Sequence, residues 1–434
     1  MARICIDGFN LAMPTGSGIA TYARNLRETI KSLGHEVQIL FGSSQDLGPN
    51  AQIDHISLLD PEIRGAKAGL FTVRRWERMF WPCAHDVIIG DAVIPDTQET
   101  RFPPANRYFA SRNIFHAANM MHRFTGRFTP VRLGRSHDTD IMHWTAPLPL
   151  FVPRIPNVYT LHDLIPLRLP QLTLHNKRAY YDMCKKIVRR ADRIFTVSEH
   201  SRRDIIRLLG AREDQVVNTY QSVSIPEQLL NRTEPEIARE IEDCHGLDPQ
   251  GYFLCFGSLD PKKNLARIVE AYSSSGVNAP LVIVGHAWRD RLAQERMRLG
   301  GVEMSIPHEQ LLEKTDRIRV LDYLPFGSLV TLMQGARALL FPSLFEGFGL
   351  PVLEAMQLGT PVLASNEGAI PEIEGDAALL VDPYDVVAIR KGIQALDSNA
   401  GLRDALIEKG RKRAEFFSAE RYRQRLQTAY QPLL

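Results

Sequence analysis

The chain has 434 residues, long enough for two or three domains with substantial cores. With 44% hydrophobic and 24% charged residues it falls at the globular average, which excludes a mainly disordered or fibrous protein. Its 52 Lys+Arg against 50 Asp+Glu leave a formal charge of +2, which argues against a general nucleic-acid binder, and no apolar run approaches the roughly eighteen residues of a membrane span. The opening residues read as a first strand and not as a signal peptide. Five scattered cysteines (Cys5, Cys83, Cys184, Cys244 and Cys255) form no CxxC pair, which suits buried thiols in a reducing cytoplasm.

Short apolar, β-rich runs alternate with longer helix-like segments. Predicted strands in the first half are 3–6, 37–41, 86–89, 141–144, 158–161 and 194–197. A second series follows at 252–256, 281–284, 318–321, 338–341, 361–364 and 378–381. Continuous apolar strands between helices mark parallel, doubly wound α/β sheets covered on both faces, so two such series imply two Rossmann-like domains. Prolines at 226, 235 and 249 place the boundary within 225–250. A helix over 419–430 follows the last strand, and there is no internal repeat or low-complexity tract.

Residues 345–356, Phe-Glu-Gly-Phe-Gly-Leu-Pro-Val-Leu-Glu-Ala-Met, come directly after the strand at 338–341. Gly347 and Gly349 let a ligand approach the backbone, and Pro351 suits the first turn of a helix, with Glu354 in that same turn. The open N–H groups of a helix start form an anion site matched to a diphosphate. Glu346 and Glu354 cannot ligate phosphate; they make sense as acceptors for sugar hydroxyls at the two ends of a nucleotide-sugar. Taken alone, the segment also reads as a glycine-rich strand–helix turn with two surface acids.

Glu346 and Glu354 resemble the E-x7-E motif of the GT4 family of retaining GT-B glycosyltransferases. Residues 160–166 (TLHDLIP), 196–201 (TVSEHS), 256–264 (FGSLDPKKN), 364–372 (ASNEGAIPE) and 375–378 (GDAA) resemble further family segments in the correct order, and 15–22 (TGSGIATY) fits as well. Residues 45–140 resemble it least. The likeness implies two Rossmann-like parallel-sheet domains facing across a cleft. An acceptor-binding domain would span 1–230, a donor-binding domain 231–415, and a helix over 416–434 would cross back to the first.

By the same resemblance, Lys263 with Lys262 would hold the donor diphosphate, and Glu354 would accept from the ribose hydroxyls. Glu346 and His162 would sit at the donor sugar, and the backbone of Gly347, Phe348, Gly349 and Leu350 would face the diphosphate. Gly16 and Gly18 would bring the first β–α loop close to the phosphates. Ser258 stands where many family members have arginine, so one expected phosphate charge is missing. Asp163 reads as a loop-capping residue. The implied activity is retaining transfer of a hexose, with GDP-mannose the first choice of donor and UDP-glucose, UDP-N-acetylglucosamine and dTDP-rhamnose left open. The acceptor would be a glycan or lipid-linked oligosaccharide of a surface polysaccharide, and neither a metal nor another cofactor is implied. The expected location is cytoplasmic, peripheral at the inner face of the membrane.

Competing signals are weaker. Residues 16–21 depart from a dinucleotide fingerprint at the sixth position and lie about nine residues beyond the first strand, which disfavours a dehydrogenase. Asp138-Thr139-Asp140 matches a metal-binding DxD but reads as a strand-entry turn. A GT-B-fold sugar-nucleotide epimerase or hydrolase, and a non-catalytic nucleotide-sugar-binding subunit, are the alternatives on the same diphosphate platform.

One stretch departs from the near-neutral average. Residues 64–135 hold twelve Lys+Arg against five acids, and 101–135 contain seven arginines with no acid. Phe102, Tyr108, Phe109, Phe115, Met120, Met121, Phe124 and Phe128 are interleaved with those arginines. This composition fits an interfacial segment on anionic lipid or a lipid-diphosphate-linked glycan. A helical insertion with an aromatic core face fits equally well, and base stacking on nucleic acid is a lesser alternative.

Overall fold

A computed structural model describes residues 1–11, 18–43, 82–87, 103–134, 138–173, 176–257, 260–285 and 317–434. The chain divides into two compact units, Met1–Ser222 with Ala419–Leu434, and Val223–Ser418. Gly16, Ser258 and the basic stretch 64–81 lie outside the described residues.

The first unit contains β1 (Arg3–Asp7), α1 (Gly18–Ser32), β2 (Glu36–Ser43), β3 (Cys83–Val87), β4 (Arg107–Arg112), α2 (Ile114–Thr125) and β5 (Arg132–Leu133). It continues with β6 (Ile141–Trp144), β7 (Asn157–Thr160), α3 (Lys177–Arg190), β8 (Arg193–Thr196), α4 (Glu199–Leu209) and β9 (Val216–Asn218). Among the described residues these strands form one sheet in the order β9-β8-β7-β6-β1-β2-β4-β3-β5. The order reverses between β1 and β6, where Ile4 lies beside Ile141. The sheet is parallel except that β3 runs antiparallel to β4, with Asp86 opposite Phe109, which corrects the all-parallel expectation at that edge. Helix α1 buries Ala20, Tyr22, Ala23, Leu26, Arg27 and Ile30, the three-to-four spacing of a helix laid on a sheet.

Strand β4 was not predicted, and it changes the reading of the arginine-rich segment. Tyr108 and Phe109 are buried in the sheet, and Phe115 and Met121 are buried on α2. Met120 and Phe128 are half-buried, which leaves Phe124 as the exposed large side chain of that set among the described residues. Over 103–134, the apolar side chains needed by an interfacial segment therefore mostly face the core. The cysteines divide as well: Cys5, Cys184 and Cys255 are buried, whereas Cys83 and Cys244 are exposed.

The second unit holds α5 (Glu234–His245), β10 (Phe253–Phe256), α6 (Leu265–Ser273), β11 (Leu281–Val284), β12 (Ile318–Leu321), α7 (Phe326–Gln334) and β13 (Ala338–Phe341). After these come α8 (Leu350–Leu358), β14 (Val362–Ser365), β15 (Leu379–Val381), α9 (Val386–Ser398) and α10 (Ala400–Ala414). Its sheet is parallel throughout, in the order β12-β11-β10-β13-β14-β15. The order reverses between β10 and β13, which opens a crevice at their carboxyl ends. No helix among the described residues is long and apolar enough to cross a membrane.

The last helix, α11 (Ala419–Tyr430), belongs to the first unit and buries Tyr422, Leu426, Ala429 and Tyr430. The Tyr430 hydroxyl pairs with His143 Nδ1, and its ring lies 5.2 Å from that of Phe195. Burial drives His143 down to about 3, so the imidazole stays neutral and serves as a hydrogen-bonding strut. Tyr430→Ala is expected to destabilise the protein by about 3–5 kcal/mol and Tyr430→Phe by about 1 kcal/mol in urea unfolding. Equal losses for the two variants would contradict a packing role for the ring.

Candidate active site

In the second unit, the loops after β10 and β13 meet at the strand-order reversal. Asp260 caps a short 3-10 turn at Pro261–Lys263 by accepting from the Lys262 amide. Asn264 then adopts a left-handed backbone, φ 60°, and its buried amide donates to the carbonyls of Pro342 and Pro383. The Leu344 amide donates to the Lys262 carbonyl at 2.7 Å. These bonds bring both lysines against Glu346: Lys263 Nζ donates to Oε1 at 2.6 Å, and Lys262 Nζ lies 3.7 Å from Oε2. Glu346 is 8% exposed. Burial alone would raise its pKa, but the two ammonium groups outweigh it and hold the carboxylate below its ordinary value.

Helix α8 starts beside this cluster. Gly349 precedes it with φ 106°, and a Cβ there would come within 2.4 Å of Ile370. No side chain caps the helix; Pro351 has no N–H, and the Val352 and Leu353 amides donate to the Gly349 carbonyl, so the Leu350 amide is the first-turn donor left to an anion among the described residues. The helix begins at Leu350, which puts Glu354 in the second turn and corrects the first-turn expectation: the left-handed Gly349 fixes the start, with Pro351 just inside it. The Phe348 side chain is buried edge-on to Phe417 at 5.6 Å, so only its backbone can face a ligand. Glu354 is half-buried and has no hydrogen-bond partner among the described residues. Desolvation pushes its carboxyl up to about 7, against a smaller opposing pull from Lys263.

In the first unit, His162 follows β7, and its Nε2–H donates to the Thr145 carbonyl at 2.9 Å. The edge of its ring meets Tyr22 of α1 at 4.7 Å, and the Tyr22 hydroxyl pairs with Thr160 at 2.9 Å. Burial lowers the His162 pKa, leaving a neutral ring whose Nδ1 can accept. Behind it, Asp7 accepts from the Thr145 amide and, at 3.1 Å, from the Thr145 hydroxyl. Asp7 is fully buried, and desolvation raises it to about 6 despite those bonds. Gly18 is the first residue of α1. Asp163 accepts from the Ile165 amide at 3.0 Å, a local turn bond.

Comparison with known proteins defines the class. The family model described as Glycosyltransferase Family 4 matches residues 16–223, and the one described as Glycosyl transferases group 1 matches residues 239–413. The chain is 32% identical over 272 residues to O-antigen chain mannosyltransferase B of Escherichia coli, across 61% of this chain and 67% of that one. The chain belongs to glycosyltransferase family 4. It is also 25% identical over 429 residues to the MMP alpha-(1->4)-mannosyltransferase of Mycolicibacterium hassiacum, covering 92% of this chain and 91% of the relative. Against the serotype-specific mannosyltransferase WbdA of Escherichia coli, 29% identical over 254 residues, it spans only 30% of the relative's length. The solved structure of Anabaena HepE with UDP and glucose superposes with a TM-score of 0.66 at 14% identity, over 100% of both chains. The fold is GT-B, α/β with two Rossmann-like units.

Within this glycosyltransferase, Lys262, Lys263 and Glu346 are joined in one cluster at the start of α8. Asp7 and Thr145, together with Asn10, whose buried side-chain amide donates to the Thr145 hydroxyl at 3.3 Å, escaped the sequence reading, although an acid at the end of a first strand is a usable signal in such sheets. The DxD-like pair is engaged elsewhere: Asp138 and Asp140 each lie 3.1 Å from Arg3, at the start of β6.

The raised Glu354 carboxyl sets a pH dependence. Its folded value of about 7 exceeds the ordinary 4.5, so the stability it confers is complete below pH 4.5 and is lost as pH rises through 7. Glu354→Gln should therefore gain on wild type by on the order of 3 kcal/mol between pH 4.5 and pH 8, read from urea unfolding. Parallel pH profiles for the two proteins would contradict the burial argument.

Proposed function

We propose that this glycosyltransferase moves a hexose, mannose from GDP-mannose, onto a glycan or lipid-linked oligosaccharide of a surface polysaccharide. The observation that carries the reading is the Lys262–Lys263–Glu346 cluster beside the uncapped start of α8. A diphosphate placed there meets two ammonium groups and the Leu350 amide at the helix start. Both stabilise the negative charge that grows as the bond to the sugar breaks. Glu346 is held in place by the lysines and keeps lone pairs for sugar hydroxyls, while the unpaired Glu354 accepts from the ribose. His162, fixed through Nε2, offers Nδ1 to a hydroxyl of the donor sugar. Mannose is chosen because the named relatives from Escherichia coli and Mycolicibacterium are mannosyltransferases. With a lipid-linked acceptor, the enzyme works on the cytoplasmic side, peripheral to the membrane.

The proposed step retains configuration. The acceptor hydroxyl attacks the anomeric carbon on the face from which the diphosphate departs, the carbon–oxygen bond to the diphosphate breaks, and the acceptor proton passes to the leaving phosphate oxygen. The lysines supply the positive charge at the diphosphate, so turnover is expected without added metal.

A melting-shift screen of nucleotide-sugars is expected to favour GDP-mannose over UDP-glucose. The product should keep the donor's anomeric configuration by proton NMR, and an inverted linkage would overturn the mechanism. Lys263→Gln should lower kcat by about a hundredfold. Release of free sugar or an epimer, with no transfer to any acceptor, would favour the epimerase or hydrolase reading.

A further inference from the structure

A cavity of about 1370 Å³ opens in the first unit. Its floor is a ribbon in which Thr129–Pro130 pairs with Leu150–Phe151, and its walls include the C-terminal ends of α2 and α3. Helix α3 follows β7 and runs back along the sheet, so this end of it lies at the edge opposite His162. Its 14 residues, at about 1.5 Å each, separate the two by roughly 20 Å.

Six cations line the cavity: Arg127, Arg132, Arg154, Lys186, Arg189 and Arg190. Three of them, Arg132, Lys186 and Arg190, have structural partners. Lys186 donates to the Gly126 carbonyl at 2.5 Å, and Arg190 lies 3.8 Å from the centre of the Phe151 ring. Arg127, Arg154 and Arg189 have no carboxylate partner among the described residues. The helix ends do not account for this number of charges. A helix C-terminus carries about half a negative charge, so α2 and α3 together balance about one cation. Asp182, the acid of α3 near His122, balances another. The remaining like charges repel one another around a single opening, and an anion among them would reverse that effect.

One further observation points into the same space. Arg154 holds a left-handed backbone, φ 70°, which glycine adopts freely and an arginine does not. The strained position thus presents a cationic side chain to the cavity.

We propose that this cavity is a second ligand site, taking a phosphoryl group, phosphate or diphosphate, on a body that packs against Phe128 and Phe151. Arg127, Arg154 and Arg189 bind the phosphate oxygens. A soluble phosphorylated molecule and an anionic lipid headgroup share this chemistry. The site is independent of the donor cluster in the second unit.

Calorimetric titration of the full-length protein with inorganic pyrophosphate at low salt is the test. Arg127→Ala/Arg189→Ala is expected to weaken binding about tenfold per arginine removed, with Arg127→Lys/Arg189→Lys recovering most of it. Arg154→Gly should weaken it while leaving the melting temperature unchanged or raised, a combination that a purely structural arginine would not give. The donor cluster is also proposed to take a diphosphate, so the cavity variants are read in a Lys262→Gln/Lys263→Gln background, in which cavity binding should remain. Pyrophosphate binding in that background that survives every cavity variant, or no binding at all there, overturns the proposal without touching the donor reading. Flotation with phosphatidylglycerol and phosphatidylcholine vesicles separates the sources. Arginine-dependent capture by the anionic vesicles alone assigns a lipid headgroup, and no capture beside intact pyrophosphate binding assigns a soluble ligand.

Discussion

A carboxylate that water barely reaches stays ionised only where opposite charge stands beside it. Glu346 imposes that requirement on the second unit, and much of the local architecture meets it. The 3-10 turn that presents Lys262 and Lys263, the left-handed Asn264 that pins this turn to Pro342 and Pro383, and the bond from Leu344 to Lys262 all bring the ammonium groups to one buried acid. Gly368 takes part as well, since a Cβ there would lie 2.8 Å from the Glu346 carbonyl. Under the proposed function, the charges that a departing diphosphate needs are thus already fixed by a demand of folding.

The first unit meets a similar demand with neutral groups. At its own strand-order reversal, Asp7 and Thr145 set the carbonyl that orients His162, while the Thr160 hydroxyl pairs with both Tyr22 and His143. Desolvation keeps both histidines uncharged there, so the network works through hydrogen-bond direction and not through charge. One unit offers an anion cationic partners, and the other offers hydroxyls a set of oriented acceptors.

How much of this was legible in the sequence depended on how local each signal was. Uniformly apolar strands such as Leu281–Val284 and Ala338–Phe341 announced themselves, because a strand covered on both faces has no polar positions to confuse the pattern. Arg107–Arg112 did not: arginines at both ends hide four residues that the sheet buries. The site lysines and glutamates were found through motif likeness, whereas their ion pairing, across 83 residues, is a product of topology. The bond between Asp7 and Thr145 spans 138 residues and left no local trace. The basic cavity was half visible. Arg127 and Arg132 stood out in an acid-free segment, but Lys186, Arg189 and Arg190 join them only because α3 returns to the same edge of the sheet. The core took Tyr108, Phe109 and Phe115 of that segment, and the surface kept Arg112, Arg123, Arg127 and Arg132.

The return of the chain at Ala419 makes the second unit an insertion within the first. Domains commonly fold in the order in which they leave the ribosome, and here that order is inverted for one surface. The seat of α11, where His143 and Phe195 wait for Tyr430, is synthesised early and receives its cover only after the whole of the second unit has been made. At about 5–20 residues per second, that apolar seat stays open for roughly 10–40 s on every nascent chain, a window in which the half-made first unit is exposed to wrong partners.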